Sequence, residues 1–317
     1  MRHLFIRLLL LLPIAFLATS CVTKQYRNQP VSVFMPLDQP ALFEGTYLNE
    51  NGVLVEMLYL AKKKGREIAD DIDFVTLTWD GKDHLIASAT TEKGPFTYRV
   101  KREKNAPYFQ KSSTFLIPFP PLYMQHDYRQ IRLGTDSISD LLLYYWHRGG
   151  GMVLLVAGGG ADQRDYRFNR FDPQDSDVWY PCKEGDKWGY KRGNRWMISP
   201  QYEYARLFQD DLARVKQNGK WGILRKDGKM LTPFQYDRID PFYIHPYGGV
   251  IGIDPPADKY DPEVYIIAKA YRNGKEGYID NEGKECIPVR YETIRYFDDG
   301  VAKARLNGRK VTVTYRK

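Results

Sequence analysis

The chain has 317 residues, 47 Lys and Arg against 39 Asp and Glu, and three cysteines. That length holds about two domains, each large enough to bury a core, and a composition of 43% hydrophobic and 27% charged residues excludes wholesale disorder. Three cysteines exclude a disulfide-stapled scaffold and a four-cysteine zinc site, while 24 Tyr, 26 Gly and 19 Pro favour strands and turns over helices.

Residues 1–20 read as an export signal. Arg2, His3 and Arg7 make a basic start, Leu8 to Leu17 is an apolar run broken only by Pro13, and Ala18, Thr19 and Ser20 lead directly to Cys21. The run is shorter than the roughly 20 apolar residues of a bilayer span. A cysteine in this place resembles the lipoprotein signal family, with one departure: Leu17 lies four before the cysteine, and Ala18 stands where the family usually has leucine. The resemblance implies that Cys21 is acylated, palmitate being the type of chain, and becomes the first mature residue. Several chains at about 0.8 kcal/mol per buried methylene would hold it in a membrane. A plain secretory signal with an incidental cysteine is the alternative. No acidic cluster follows Cys21 at Val22 to Gln25, so the expected location is the outer membrane, facing the periplasm.

Loss of Arg2 and Arg7 would bring the net charge from +8 to +6. A basic balance suits anionic headgroups or acidic envelope polymers, although the charges are interspersed with no long Lys/Arg run, and an ordinary solvated surface is the better reading of them. Nucleic acid is not an expected partner in that compartment.

Residues 21–40, with Pro30, Pro36 and Pro40, read as a tether. Residues 41–172 read as an antiparallel β domain. Its strands are expected at Phe43 to Leu48, Asp73 to Trp79, His84 to Ala89 after an Asp80-Gly81 turn, Phe96 to Lys101, Tyr108 to Lys111, Phe115 to Ile117, Tyr128 to Leu133, Leu141 to Trp146, Met152 to Ala157 and Tyr166 to Phe171, with a short helix around Val55 to Lys63. Such a set hides its edges by closing into a barrel or folding into a sandwich. Gly45-Thr46-Tyr47 and the meander after it resemble a lipocalin-like lipoprotein domain, which implies a small apolar or lipid ligand. Phe115, Phe119 and Tyr123 among Pro118, Pro120 and Pro121 would line a mouth for it, or pack a strand end on the core.

Residues 178–317 repeat. Lys187-Trp188-Gly189 recurs as Lys220-Trp221-Gly222, and the third copy has Glu276-Gly277 in that place. Pro200, Pro233 and Pro288 each lie 12 after the tryptophan position, and Tyr202-Glu203, Tyr236-Asp237 and Tyr291-Glu292 follow them. A fourth copy begins at Asn307-Gly308. The pattern resembles the WG-repeat family, strictly in two copies and with loss of tryptophan in the others. The resemblance implies a non-catalytic interaction module.

Asn218-Gly219, Asn273-Gly274 and Asn307-Gly308 supply the positive φ of two-residue hairpins. The glycine after each tryptophan position marks a close approach of backbone or ring. Each copy is three short strands that bury a face only by stacking. Copy two carries an insertion at 243–263, with His245, Tyr247, Asp254 and Tyr260 as candidate partner-loop residues. Cys182 and Cys286 fall on apolar repeat positions and are expected to be small core residues.

No catalytic, cofactor or metal residue is picked. His84, His126, His147 and His245 are scattered, no Gly-x-Ser-x-Gly is present, Asp70 to Asp73 reads as a solvated turn, and the glycine runs 149–151 and 158–160 read as turns bounding a buried strand. The leading expectation is a lipid-anchored envelope protein that binds or scaffolds a protein or envelope polymer, with no cofactor. The alternatives are a carrier of an apolar ligand in the first domain and an envelope glycan hydrolase, for which no carboxylate pair can be chosen.

Overall fold

The computed structural model describes residues 42–49, 52–59, 68–104, 109–119, 123–135, 140–153, 156–174, 177–245, 265–295 and 300–315. Cys21, the tether, and Tyr247, Asp254 and Tyr260 of the insertion lie outside them. The chain is mainly β, in several small antiparallel sheets.

The first region forms two meanders. Strands β1 (Gly45–Leu48), β2 (Phe74–Trp79), β3 (His84–Thr91) and β4 (Gly94–Lys101) make one sheet in chain order, with the helix α1 (Val53–Leu58) between β1 and β2. Strands β5 (Gln110–Phe119), β6 (Tyr123–Thr135), β7 (Leu141–Val153) and β8 (Val156–Phe168) make the other. Both sheets feed one core: Leu77, Leu85 and Val100 from the first meet Ile131, Leu133, Leu141, Leu143 and Phe168 from the second, with Leu54 and Leu58 of α1. The closed barrel that a lipocalin-like domain requires is not formed among the described residues. Strands of four to eight residues in one sheet and ten to thirteen in the other do not match, and closure needs consistent length and stagger. The sheets instead pack across this core and are joined by backbone bonds at one corner, where Tyr47 and Arg170 form an isolated bridge.

Two strand expectations change. The strands expected at Tyr108 to Lys111 and Phe115 to Ile117 are, from Gln110 on, one long strand β5, and Tyr108 itself lies outside the described residues. Met152 to Ala157 is not a strand between glycine turns. It is the end of a hairpin, with Val153 opposite Val156, and the glycines lie inside β7 and β8, paired as Gly149 with Gly160, Gly150 with Gly159 and Gly151 with Gly158.

The repeats follow the expected three-strand plan. Copy one is β9 (Tyr180–Glu184), β10 (Lys187–Arg192) and β11 (Arg195–Tyr202). A two-residue strand, β12 (Tyr204–Ala205), then pairs with β13 (Leu212–Gln217) of copy two, which continues as β14 (Lys220–Arg225) and β15 (Met230–Tyr236). The third sheet holds β16 (Arg238–Ile239), β17 (Tyr243–His245), β18 (Tyr265–Arg272), β19 (Lys275–Asp280) and β20 (Ile287–Tyr291). The last holds β21 (Thr293–Ile294), β22 (Val301–Leu306) and β23 (Arg309–Thr314). Each sheet therefore begins with the end of the previous copy. Each boundary between copies buries its own cluster: Tyr190, Tyr202, Val215 and Leu224; then Trp221, Tyr236, Ala268 and Val289; then Tyr278, Ile287, Ala302 and Val313. This is the nearest-neighbour stacking of a solenoid.

The repeat glycines have one shared cause. A Cβ on Gly189 would lie 2.4 Å from the Ile198 carbonyl oxygen, and one on Gly277 would lie 2.6 Å from that of Ile287 and 2.7 Å from that of Pro288. On Gly222 it would meet the Met230 Cε at 2.8 Å and the Thr232 oxygen at 3.0 Å. The register slips beside each of these glycines, and Pro200, Pro233 and Pro288 sit opposite, where a missing N–H does least harm. Asn218, Asn273 and Asn307 take φ of 52°, 52° and 50°, as the hairpin turns require.

Cys182 and Cys286 are free thiols, and both are half-buried rather than core. Cys182 differs from its equivalent Val215 because β9 is an edge, whereas Val215 is covered by its pairing with Ala205 of β12.

Candidate binding cleft at the junction of the first sheet and the repeats

Arg206 follows directly on β12 and points out of the repeat array into the first region. Its side chain is 4% exposed, and its guanidinium sits 2.9 Å from Asp73, itself 17% exposed. The Nε of Arg206 donates to the same carboxylate at 3.1 Å, and its Nη2 donates to the Asp70 carbonyl at 2.6 Å. The second Asp73 oxygen accepts the Leu207 N–H at 3.0 Å. Two guanidinium nitrogens converge on one Asp73 oxygen while the other takes a backbone N–H, and charge-assisted bonds of this kind fix orientation as well as charge. Asp70 and Asp71 form the exposed turn expected of them, while Ile72 is buried and Asp73 is drawn into the junction. Lys216 of β13 reaches Glu92, in the β3–β4 turn, at 2.5 Å and makes a second tie.

The charge continues inward. The Tyr190 hydroxyl donates to the Arg206 carbonyl at 2.7 Å, and Arg214 donates to the Ile239 carbonyl at 2.9 Å. Asp240 accepts from the Tyr271 hydroxyl at 2.9 Å and pairs with Arg238 at 2.6 Å. Burial and the nearby Asp240 push the Asp70 carboxyl up. Burial and the neighbouring Arg206 bring Arg214 down to about 10.

Beside this junction opens a cleft of about 420 Å³. One wall is the first sheet, with Phe74, Thr76, Ser88, Phe96 and Thr97; the other is the first repeat, with Pro181, Trp188 and Tyr204. Flat aromatic surface with hydroxyls and a carboxylate around it suits a ligand that is partly apolar and partly hydrogen-bonding. The Trp188 and Tyr204 rings meet edge-on at 5.0 Å, and Tyr204 meets Trp221 at 6.1 Å. The two repeat tryptophans thus differ: Trp221 is 7% exposed, while Trp188 is half-buried on the cleft wall. By contrast, the apolar cavity beneath α1, lined by Val55, Leu58, Tyr59 and Phe96, is about 10 Å³, room for a single water.

Of the candidate residues, Trp188 comes to the cleft, and Gly189 after it is buried in the sheet. Trp221, Gly222, Gly277, Pro200, Pro233 and Pro288 build the array. His245 lies on β17, paired with Tyr265, and the rest of the partner loop is outside the described residues. Phe115 stands on β5 with its side chain exposed, away from the cleft.

Asp80, Asp83 and His84 place ligand atoms close enough for one metal ion, a grouping the histidine spacing gave no reason to expect. It forms the β2–β3 turn. Asp80 already accepts N–H groups of Lys82, Asp83 and His84, the His84 bond foremost in holding its carboxyl down at about 2. Lys101 lies 3.3 Å from Asp83 and opposes a cation there.

No curated protein and no solved structure matches the chain. The C-terminal half carries, at residues 190–221, 221–247 and 277–309, matches to the family described as WG containing repeat.

Proposed function

We propose that the protein is a non-catalytic binding protein of the cell envelope, anchored by acylated Cys21, which holds a protein or envelope-polymer partner in the cleft at its first repeat. The observation that carries this reading is the unequal fate of equivalent tryptophans. Trp221 is spent on packing copy two, while Trp188 keeps surface on a cleft wall. The buried Arg206–Asp73 pair holds the two walls in fixed relation, and a preorganised cleft binds with little ordering cost. An apolar carrier would need volume in the first region, and the roughly 10 Å³ beneath α1 gives that alternative no support.

The test is retention of the purified chain on isolated envelope fractions. Trp188→Ala is expected to weaken retention at least tenfold, while Trp196→Ala, outside the cleft, leaves it unchanged. Equal retention of both variants would refute the reading.

A further inference from the structure

Every later copy of the repeat receives a short strand from the copy before it. At each boundary two backbone N–H groups, three residues apart in sequence, donate to two carbonyls of the receiving strand. Glu203 donates to Lys216 and Arg206 to Arg214, both at 2.9 Å. Asp237 donates to Tyr271 at 2.7 Å and Asp240 to Lys269 at 2.9 Å. Glu292 donates to Arg305 and Arg295 to Lys303, again at 2.9 Å. Between the donors sits a buried aliphatic residue: Ala205, Ile239 and Ile294 are 1%, 2% and 2% exposed, opposite Val215, Ala270 and Ala304.

Copy one has the receiving strand and no giver. Trp188 faces Lys183 and Tyr190 faces Pro181, as Trp221 faces Lys216 and Ile223 faces Arg214, so Lys183 and Pro181 hold the two acceptor places. Among the described residues no strand pairs with the outer edge of β9. The chain's own equivalent segment cannot serve. In copies two and four the donors lie 13 and 8 residues before their acceptors. The same steps back from Lys183 and Pro181 reach Arg170 and Pro173. Pro173 has no N–H to give, and the Arg170 N–H is taken by Asp140 at 3.0 Å. Cys182, between the two acceptors, is left half-buried, whereas Val215, Ala270 and Ala304 are buried. Pro181 is tolerated on this edge because the boundary bonds use the carbonyl at its place, and it lines the cleft.

We propose that the free edge of β9 takes an extended segment of another protein as an added strand, continuing the array by one boundary. This rests on the reading of the cleft as a binding site and narrows the partner there to a polypeptide. The first and fourth residues of the segment donate to the carbonyls of Lys183 and Pro181, and the third, alanine or isoleucine, covers Cys182. Main-chain bonds of this kind give affinity, and the side-chain seat gives preference. The first residue differs from those inside the array. It is an acid at each inner boundary, but the copy-one turn, Gly185-Asp186 between Glu184 and Lys187, already carries carboxylates, and an uncharged residue suits it better. A second copy of the chain does not fit the edge, because its three boundary segments of this pattern are paired inside its own array.

The test uses the full chain carrying Cys21→Ser and a ten-residue peptide with the sequence of residues 199–208. The peptide carries Glu203→Gln and Ala205→Cys, its thiol activated as a mixed disulfide with thiopyridine. The Cys182 thiolate should attack the peptide sulfur and release thiopyridone, and peptide mapping should place the adduct on Cys182. The same peptide N-methylated at positions 203 and 206 lacks both donors and should react at least tenfold more slowly. Equal rates would overturn the inference, since a merely exposed thiol does not distinguish the two peptides. So would an adduct on Cys286 in place of Cys182. Equal rates together with loss of envelope retention in Trp188→Ala would mean that the cleft holds something other than a strand. Selective capture at Cys182 with retention indifferent to Trp188 would uphold the strand site and refute only the reading of the cleft.

Discussion

The Glu203 carboxylate accepts the backbone N–H of Gly219 at 2.9 Å, and that of Asn218 at the same distance. One copy's acid thus caps the hairpin turn of the next. The relation recurs down the array: Asp237 accepts from Asn273 at 2.6 Å, and Glu292 accepts from Gly308 at 3.0 Å. The acid of each Tyr-acid pair is a fastener between neighbouring copies. Asp237 keeps that role across the 36 residues that include the insertion.

These turns are expected to loosen in acid. The N–H groups of Gly219 and Asn218 hold the Glu203 carboxyl below its ordinary 4.5. Lys220, and then Asn273, do the same for Asp237. A lowered folded-state pKa gives stability that is complete above the unfolded value and lost as pH falls through the folded one. Exchange protection of the Asn218 and Gly219 amides should hold at pH 6 and fall below the ordinary carboxylate range. Glu203→Ala should show the unprotected rate already at pH 6. Equal protection in the variant would contradict the capping role.

Arg206 should be costly to remove alone. Arg206→Met leaves Asp73 buried without its partner, and breaking a buried pair costs about 3–5 kcal/mol. Denaturant midpoints should show that loss, and adding Asp73→Asn should recover part of it. A single variant within about 0.5 kcal/mol of the parent, the range of ordinary surface changes, would show that the junction carries little.

Gly277→Ala places a methyl against the Ile287 and Pro288 carbonyl oxygens, which belong to backbone and cannot rotate away. The expected loss is about 1–3 kcal/mol, the usual range for overpacking. Thermal unfolding measures it, and an unchanged midpoint would mean that the third strand is free to retreat.

Trp221→Ala should cost about 3–5 kcal/mol, as for a large buried side chain. Trp188→Ala should cost clearly less, because half-burial removes less apolar area from water. Equal losses would place Trp188 in the core and take away the basis for a cleft wall.

The repeats were legible because their offsets are fixed, and because glycine beside tryptophan and Asn-Gly turns have local causes. The fastening by Glu203, Asp237 and Glu292 left a trace in the Tyr-acid pairs, yet only the fold shows that each acid reaches the next turn. The Asp73–Arg206 pair, 133 residues apart in sequence, leaves no periodic signal at all. The glycine runs misled for a physical reason. Glycine is disfavoured inside strands, yet Gly149 to Gly151 and Gly158 to Gly160 pair directly across one hairpin. Which strands make up each of the two sheets was hidden as well, since alternation marks strands without saying which of them pair.

The central claim, a partner held at the first repeat, is tested most directly by photo-cross-linking in living cells. A photoreactive residue replacing Thr97, on the exposed cleft wall, should give a discrete adduct that disappears with Trp188→Ala. The same residue replacing Arg309, exposed in the last copy, should give none. Adducts of equal yield from both positions, or one from Thr97 that survives Trp188→Ala, would contradict the account.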